Sequence, residues 1–274
     1  MKKHFAVLAV ALSCYTTSFT NAARANDGSL EWGGSPQLLS SHPNVAMQSE
    51  VITMNIGAQN VTVDCRFVFK NHGKATTVRM GFPDEGSGAT AFEADSEDPK
   101  PKTAPTGFTS FKSWVDGAPT KTTAVRSSRS GLTWHTKSVR FPAQSTRIVR
   151  DLYTVPIGGQ MGAGMYYRQA SYTLHTGASW RGPIGRSEII VNFVNTGGAD
   201  VLRPTTIEKL KAEHPASVDW KTVAKGTVIY LGPSAPSVNG RTLRWVRTNW
   251  NPTKKDNIFL AFNPTGTNGV RLGK

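Results

Sequence analysis

The feature that most constrains the fold of this 274-residue chain is a run of alternating apolar and polar residues that begins at Val61. Alternate positions from Val61 to Phe69 are apolar and most of their neighbours are polar, which is the period of two of a half-buried β-strand. After a turn-like segment around Gly73, the alternation returns between Val78 and Phe82. We therefore expect a β-hairpin, or two strands that cross between sheets, with both apolar faces in one core.

Similar short segments continue along the chain, and the prolines Pro142 and Pro156 separate two of them. This spacing favours stacked β-sheets over alternating strands and helices. Helical periodicity is convincing only in the short segment 207–213, which follows threonines suited to an N-cap. The prediction is an all-β fold of two immunoglobulin-like β-sandwich domains with one short helix. A glycine-rich stretch at 158–164 divides an N-terminal β-sandwich domain, residues 26–158, from a C-terminal β-rich domain, residues 159–274.

The first 25 residues have the pattern of an export signal. Two lysines precede the apolar run 5–12, and the small residues Ala23 and Ala25 suit a signal peptidase. The sequence thus predicts a signal peptide at 1–25 and a periplasmic or extracellular protein. The alternative is a lipid anchor through Cys14, because residues 11–14 loosely resemble a lipobox. The apolar run is shorter than the roughly 20 residues of a membrane-spanning helix.

Charge is distributed unevenly along the chain. Residues 26–99 hold 4 basic and 10 acidic side chains, whereas residues 100–274 hold 25 basic and 8 acidic ones, a net charge of +17. A strongly basic exported protein is expected to associate with polyanions such as lipopolysaccharide, teichoic acid or acidic glycans. The alternative is that the charge serves only solubility.

The sequence resembles known families in two ways. The strand pair that ends in Gly-Phe-Pro at Pro83, together with the segment 111–117, resembles the β-sandwich start of vault-protein/inter-α-trypsin type domains. The chain as a whole resembles an uncharacterised family of exported bacterial proteins, a domain of unknown function, most clearly at 26–28, 172–180 and 249–258. The resemblance implies a β fold, and it brings no established activity with it.

Residues suited to catalysis are few. Histidines do not occur at the spacings of common zinc sites, and His135 and His175 lie on predicted strands, where each could meet a carboxylate. Glycoside hydrolysis needs two acids, for which Asp151 and Glu188 are candidates. Cys65 falls on the apolar side of its strand and is predicted to be a buried packing residue. The sequence predicts no catalytic residue, no metal site and no cofactor.

The acidic segment 84–105 could hold Ca²⁺, but it lacks the ligand spacing of a calcium loop. A solvated loop is the favoured interpretation.

Aromatic and basic residues that occur close together in the sequence suggest a ligand surface. Flat rings stack on sugars or bases, and guanidinium groups bind phosphates or carboxylates. The candidate ligand-binding residues are Trp180, Arg181, Arg241, Arg244, Arg247 and Trp250. Alternatively, the tryptophans belong to the core and the arginines are merely solvated.

These observations together predict an exported, non-catalytic binding or structural module of the cell envelope. Its expected partner is an anionic envelope polymer or an envelope protein, with no specific nucleic acid. The alternative function is an envelope hydrolase that acts on glycan.

Overall fold

The computed structural model describes residues 28–30, 41–84, 107–128, 133–162, 165–194, 196, 200–213 and 225–263. The predicted signal peptide, the lipid anchor at Cys14 and the acidic segment from residue 85 to residue 105 lie outside these residues.

The described part of the chain is mainly β-structure, as the alternating segments predict. In chain order the strands are β1 Gly28–Leu30, β2 Val45–Ile56, β3 Asn60–Asn71, β4 Thr76–Asp84, β5 Ser110–Val115, β6 Ala118–Thr120, β7 Thr123–Arg126, β8 Thr133–Phe141, β9 Thr146–Pro156, β10 Gly158–Gly162, β11 Met165–Tyr172, β12 Ile184–Phe193, β13 Arg203–Thr205, β14 Thr227–Leu231, β15 Ser237–Asn239, β16 Thr242–Trp250 and β17 Ile258–Phe262. The predicted helix is α1, Ile207–Glu213, and 3₁₀ helices cover His175–Ser179 and Lys254–Asp256.

The strands form three sheets. The largest has eight strands in the order β15-β16-β12-β2-β3-β9-β5-β6, and the smaller two have the orders β1-β4-β8-β7 and β10-β11-β17-β14-β13. Ring contacts show that both smaller sheets pack on the same face of the large one. Phe82 of β4 lies 5.3 Å from Tyr153 of β9, and Phe262 of β17 lies 4.9 Å from Phe193 of β12, measured between ring centroids. The result is a layered β-sandwich arrangement.

The strand pair that begins at Val61 takes the crossing form rather than the hairpin form. β3 pairs with β2 and β9 in the large sheet, whereas β4 pairs with β1 and β8 in the four-stranded sheet. The inward side chains Phe67 and Phe82 are both fully buried in one hydrophobic cluster. The alternation therefore predicted the buried faces correctly, and the turn after β3 carries the chain from one layer to the next.

The large sheet contains strands from both sides of residue 158. β12 pairs with β2 in parallel, with Ile189 opposite Ile52, and β16 pairs with β12 in the antiparallel sense. Both strands contribute to one hydrophobic cluster with β3 and β9. The division of the chain into two domains at this residue stays a prediction, and the strand pairing crosses it.

Candidate functional site

Of the four arginines of the predicted ligand surface, Arg181 and Arg241 lie outside β16, and Arg244 and Arg247 occupy its two faces. Side chains alternate along a strand, so a spacing of three residues places Arg244 and Arg247 on opposite faces. Arg244 is exposed, and Arg247 lies on the same side as the buried Trp245. The prediction that these arginines share one surface is wrong, because side chains alternate between the two faces of a strand and residues three apart point in opposite directions.

Two of these arginines hold the protein's own backbone. Arg241 donates from Nε to the carbonyl oxygen of Phe193 at 3.0 Å and from Nη2 to Oγ1 of Thr196 at 2.5 Å. Arg247 donates to the carbonyl oxygen of Pro233. Such bonds fix the connections around β16, so these guanidinium groups already have structural partners.

The tryptophans of the predicted surface belong largely to the interior. Trp180 is 1% exposed, and its ring centroid lies 4.4 Å from that of Phe69. Trp250 is half-buried and packs against the hydrophobic cluster. Arg181, by contrast, is exposed. Of the six predicted ligand-binding residues, Arg181 and Arg244 are the two that are exposed.

The face of the large sheet opposite the two smaller sheets is here called the outer face. Its side chains are exposed or half-buried, as the alternating burial along β2, β3, β9 and β12 shows. In the described strands its basic side chains are Arg66, Lys70, Lys112, Arg150, Arg186 and Arg244, and its acidic ones are Asp64 and Glu188. An open, flat and mainly basic surface is therefore built across the sheet.

Towards the β6 edge of the outer face, three side chains lie on neighbouring strands and are here called the Trp114 row: Trp114 of β5, Arg150 of β9 and Arg66 of β3. Trp114 lies opposite Arg150, and Arg150 lies opposite Arg66. The guanidinium carbon of Arg150 lies 5.2 Å from the centre of the Trp114 ring, within the range of a cation–π contact. Sequence analysis missed this row because its members are far apart in the chain and meet only through strand register.

Arg150 is held in place by Asp64. Nε of Arg150 donates to Oδ1 of Asp64 at 2.9 Å, and Nη2 donates to Oδ2 at 2.6 Å, a two-pronged ion pair. The bonds to Asp64 raise the pKa of Arg150 from its ordinary value. Arg150 is thus a permanently charged group with a fixed orientation.

Glu188 ties together two arginines elsewhere on the outer face. Arg244 and Arg186 lie 2.7 Å and 2.9 Å from its carboxylate oxygens. Partial burial alone would raise the pKa of Glu188, but the hydrogen bonds and charges of the two arginines outweigh it and lower that pKa below the ordinary value. Glu188 is consequently ionised at neutral pH and poorly suited to donate a proton.

The two acids considered for glycoside hydrolysis do not face each other. Glu188 lies on the outer face, whereas Asp151 lies on the inner face and is fully buried. Nζ of Lys137 donates to both carboxylate oxygens of Asp151 at 2.7 Å and 2.6 Å. A pair of carboxylates that flanks a glycosidic bond cannot be formed from these residues.

The two histidines considered in the sequence have different surroundings. His135 lies on β8, as predicted, with Nε2 at 3.1 Å from Oδ2 of Asp84. The same carboxylate accepts a hydrogen bond from the backbone N–H of Gly107 at 2.8 Å, so it joins the end of β4 to the segment that precedes β5. His175 begins a 3₁₀ helix instead of lying on a strand, and its Nδ1 is 3.3 Å from Oδ1 of Asn257.

Within the described ranges, no group of three or more His, Cys, Asp or Glu side chains could hold a metal ion. Among the same residues, no helix is long and apolar enough to span a membrane.

Comparisons with known proteins show likeness in sequence to one family. The profile of a domain of unknown function, DUF4424, matches residues 25–141, which end with the last residue of β8. This match confirms the resemblance to a domain of unknown function over that segment. The resemblance to vault-protein/inter-α-trypsin type domains stays a prediction. No protein of curated function matches the sequence significantly.

Solved structures show likeness in fold. A crystal structure from Legionella pneumophila, described as that of a putative nutrient binding protein, is similar with a TM-score of 0.60 and 17% identity. The match covers 88% of this chain and 70% of that one. An M1 zinc metallopeptidase from Deinococcus radiodurans matches with a TM-score of 0.34 and 9% identity over 80% of this chain and 42% of that one, a likeness too low for any argument.

Proposed function

We propose that this protein is an exported, non-catalytic binding module of the cell envelope whose outer face binds an anionic polymer. The observation that carries the proposal is the excess of basic side chains on that face, six against two acidic ones in the described strands. Such a surface attracts polyanions and orients them along a flat sheet. The charge of residues 100–274 extends this attraction to the rest of the molecule.

The proposal changes the set of residues that would contact a ligand. Arg244 remains from the sequence-based set as an exposed residue of the outer face, and Arg181 remains as an exposed residue of the loop before β12. Arg241, Arg247 and Trp180 are better explained by their backbone contacts and burial. The Trp114 row takes their place as the aromatic and basic part of the surface.

A binding role also agrees with the role proposed for the Legionella protein of similar fold. At 17% identity that likeness shows the fold alone, so the argument rests on the charge of the outer face. Hydrolysis of glycan, the alternative function, receives less support, since Asp151 and Glu188 lie on opposite faces of the sheet.

The experiment is a binding assay of the purified protein against immobilised lipopolysaccharide and an acidic polysaccharide, with a neutral dextran as control. Binding to the anionic polymers should weaken strongly between about 0.01 M and 0.15 M salt, because the Debye length falls from roughly 30 Å to 8 Å. Binding that does not depend on salt, or no binding to either anionic polymer, would contradict the proposal and favour a specific protein partner.

A further inference from the structure

We infer that the Trp114 row is a subsite for one sugar unit that carries one carboxylate, within an acidic polysaccharide that lies across the strands of the outer face. This inference rests on the proposed function and adds the position of the ligand and its chemical class. It follows from the register of three strands, β5, β9 and β3.

The first observation is a like-charge pair at directly opposed positions. Arg66 and Arg150 face each other across β3 and β9, and the residue opposite Arg66 on its other side, in β2, is Val51. Directly opposed like charges destabilise a sheet, since their side chains lie about 5 Å apart. A bound anion between the two guanidinium groups would convert this repulsion into two favourable ion pairs.

The second observation is the local charge. Both oxygens of Asp64 are engaged by Arg150, and Arg66 is exposed. Arg66, Arg150 and Asp64 together carry a net charge of +1, which a single carboxylate balances. A phosphodiester also carries one negative charge, so the choice of a carboxylated sugar rests on the aromatic ring of the row.

The third observation is the aromatic ring at the end of the row. Trp114 is half-buried and lies beside a guanidinium group that Asp64 fixes. A sugar ring would pack on the part of Trp114 that Arg150 does not cover, and the exposed guanidinium group of Arg66 would bind the carboxylate in a two-pronged manner. Lys112, exposed two residues before Trp114 on the same strand and face, adds a positive charge beside the row.

The direction of the polymer follows from the sheet. Neighbouring strands lie about 4.8 Å apart, so groups on β5, β9 and β3 follow one another in steps of that size. An extended chain laid across the strands meets the members of the Trp114 row in succession, whereas a chain parallel to one strand would meet one member.

The test uses polygalacturonate, a carboxylate polymer, with the wild-type protein and two variants of the row, Arg66→Ala and Trp114→Ala. Each variant should weaken binding at least about tenfold, the effect of losing one charge-assisted bond or one stacking contact. Arg66→Lys should bind with intermediate affinity, because it keeps the charge and loses the fork. The matched control is Arg140→Ala, which removes an exposed arginine from the four-stranded sheet and should change affinity less than about twofold.

Arg66→Ala is decisive because its side chain is exposed and the variant should melt at the wild-type temperature. Wild-type affinity in this variant would overturn the subsite and leave the proposed function standing. Tighter binding of wild-type protein to lipopolysaccharide or single-stranded DNA than to polygalacturonate would overturn the ligand class. Failure of the wild-type protein to bind any of the three polyanions would overturn both proposals.

Discussion

The thiol sulfur of Cys65 lies 3.3 Å from the hydroxyl oxygen of Tyr172. The two side chains come from different layers, β3 of the large sheet and β11 of the five-stranded sheet. Both are fully buried, so this contact joins the two sheets at the centre of the hydrophobic cluster.

Cys65 should react slowly with thiol reagents in the native protein and completely in denaturant. Burial raises the pKa of the Cys65 thiol well above its ordinary value, so the reactive thiolate is scarce as well as inaccessible. The measurement is the rate of labelling with and without denaturant. Rapid stoichiometric labelling of folded protein would contradict the burial of this side chain.

Phe67→Ala should lower the free energy of unfolding by about 3–5 kcal/mol, because it leaves a cavity beneath β3 where Phe67 is fully buried. Arg66→Ala, one position away on the outer face, should be neutral or slightly stabilising, since it removes the repulsion with Arg150. Chemical denaturation of both variants is the measurement. Equal midpoints would mean that the register of β3 is wrong.

Removal of one member of the buried ion pair between Lys137 and Asp151 should be costly. Either Lys137→Met or Asp151→Leu breaks the ion pair where both side chains are 0% exposed, and should destabilise by about 3–5 kcal/mol.

The double variant should recover much of this loss, because neither charge of the pair remains to be desolvated. A double-mutant cycle of unfolding free energies measures the effect. Additive losses in the double variant would show that the two side chains act independently.

Trp180→Ala should also destabilise by about 3–5 kcal/mol, since Trp180 packs on Phe69 in the core. Arg181→Ala, at the adjacent exposed position, should leave the melting temperature nearly unchanged. Thermal melting of this pair separates a core role from a ligand-binding role. Loss of polymer binding at unchanged stability in the Trp180 variant would restore that tryptophan to the surface.

The contribution of Glu188 should depend on pH. Its pKa is lowered in the folded protein by Arg244 and Arg186, against the effect of burial, so its stabilisation is present above the unfolded pKa of about 4.3. That stabilisation is lost as pH falls through the lowered folded value. Glu188→Gln should therefore cost up to about 1 kcal/mol near neutral pH and progressively less as pH falls below the unfolded pKa, measured by chemical denaturation over a series of pH values. A cost independent of pH would show that the charge of Glu188 is not what stabilises the sheet.

Local sequence pattern was sufficient to predict which apolar side chains of β3 and β4 are buried, although Gly81, expected on the outward side, is buried too. Alternation of apolar residues shows which face of a strand is buried, and this can be predicted without knowing which strands are its neighbours. Phe67, Phe82 and Cys65 were all placed inside for this reason. The short helix α1 was likewise visible, because a helix cap and a helical period are local signals.

The surface chemistry was less accessible to sequence. Arg66, Arg150 and Trp114 meet only because β3, β9 and β5 are neighbours in one register, which no local pattern contains. The opposite problem affected Arg241, Arg244 and Arg247, which are close in sequence but do not share one surface. Arg244 and Arg247 lie on opposite faces of β16, and Arg241 precedes that strand. His175 was predicted on a strand from the apolar spacing of Tyr172 and Leu174, but β11 ends at Tyr172, and Thr173 between them is buried as well.

The parallel pairing of β2 with β12 has a consequence for how the protein reaches its native state. Glu50 and Ser187, which meet across this pair, are 137 residues apart in sequence. Closing so large a loop loses chain entropy before the contacts that stabilise the pair are formed. Proteins rich in such long-range contacts fold slowly, in milliseconds to seconds. During synthesis β2 is made long before β12, so the edge of β2 that pairs with β12 stays unpaired until β12 has been made. We therefore expect refolding to be slow and sensitive to protein concentration, because an unpaired strand edge is also a template for association with another chain.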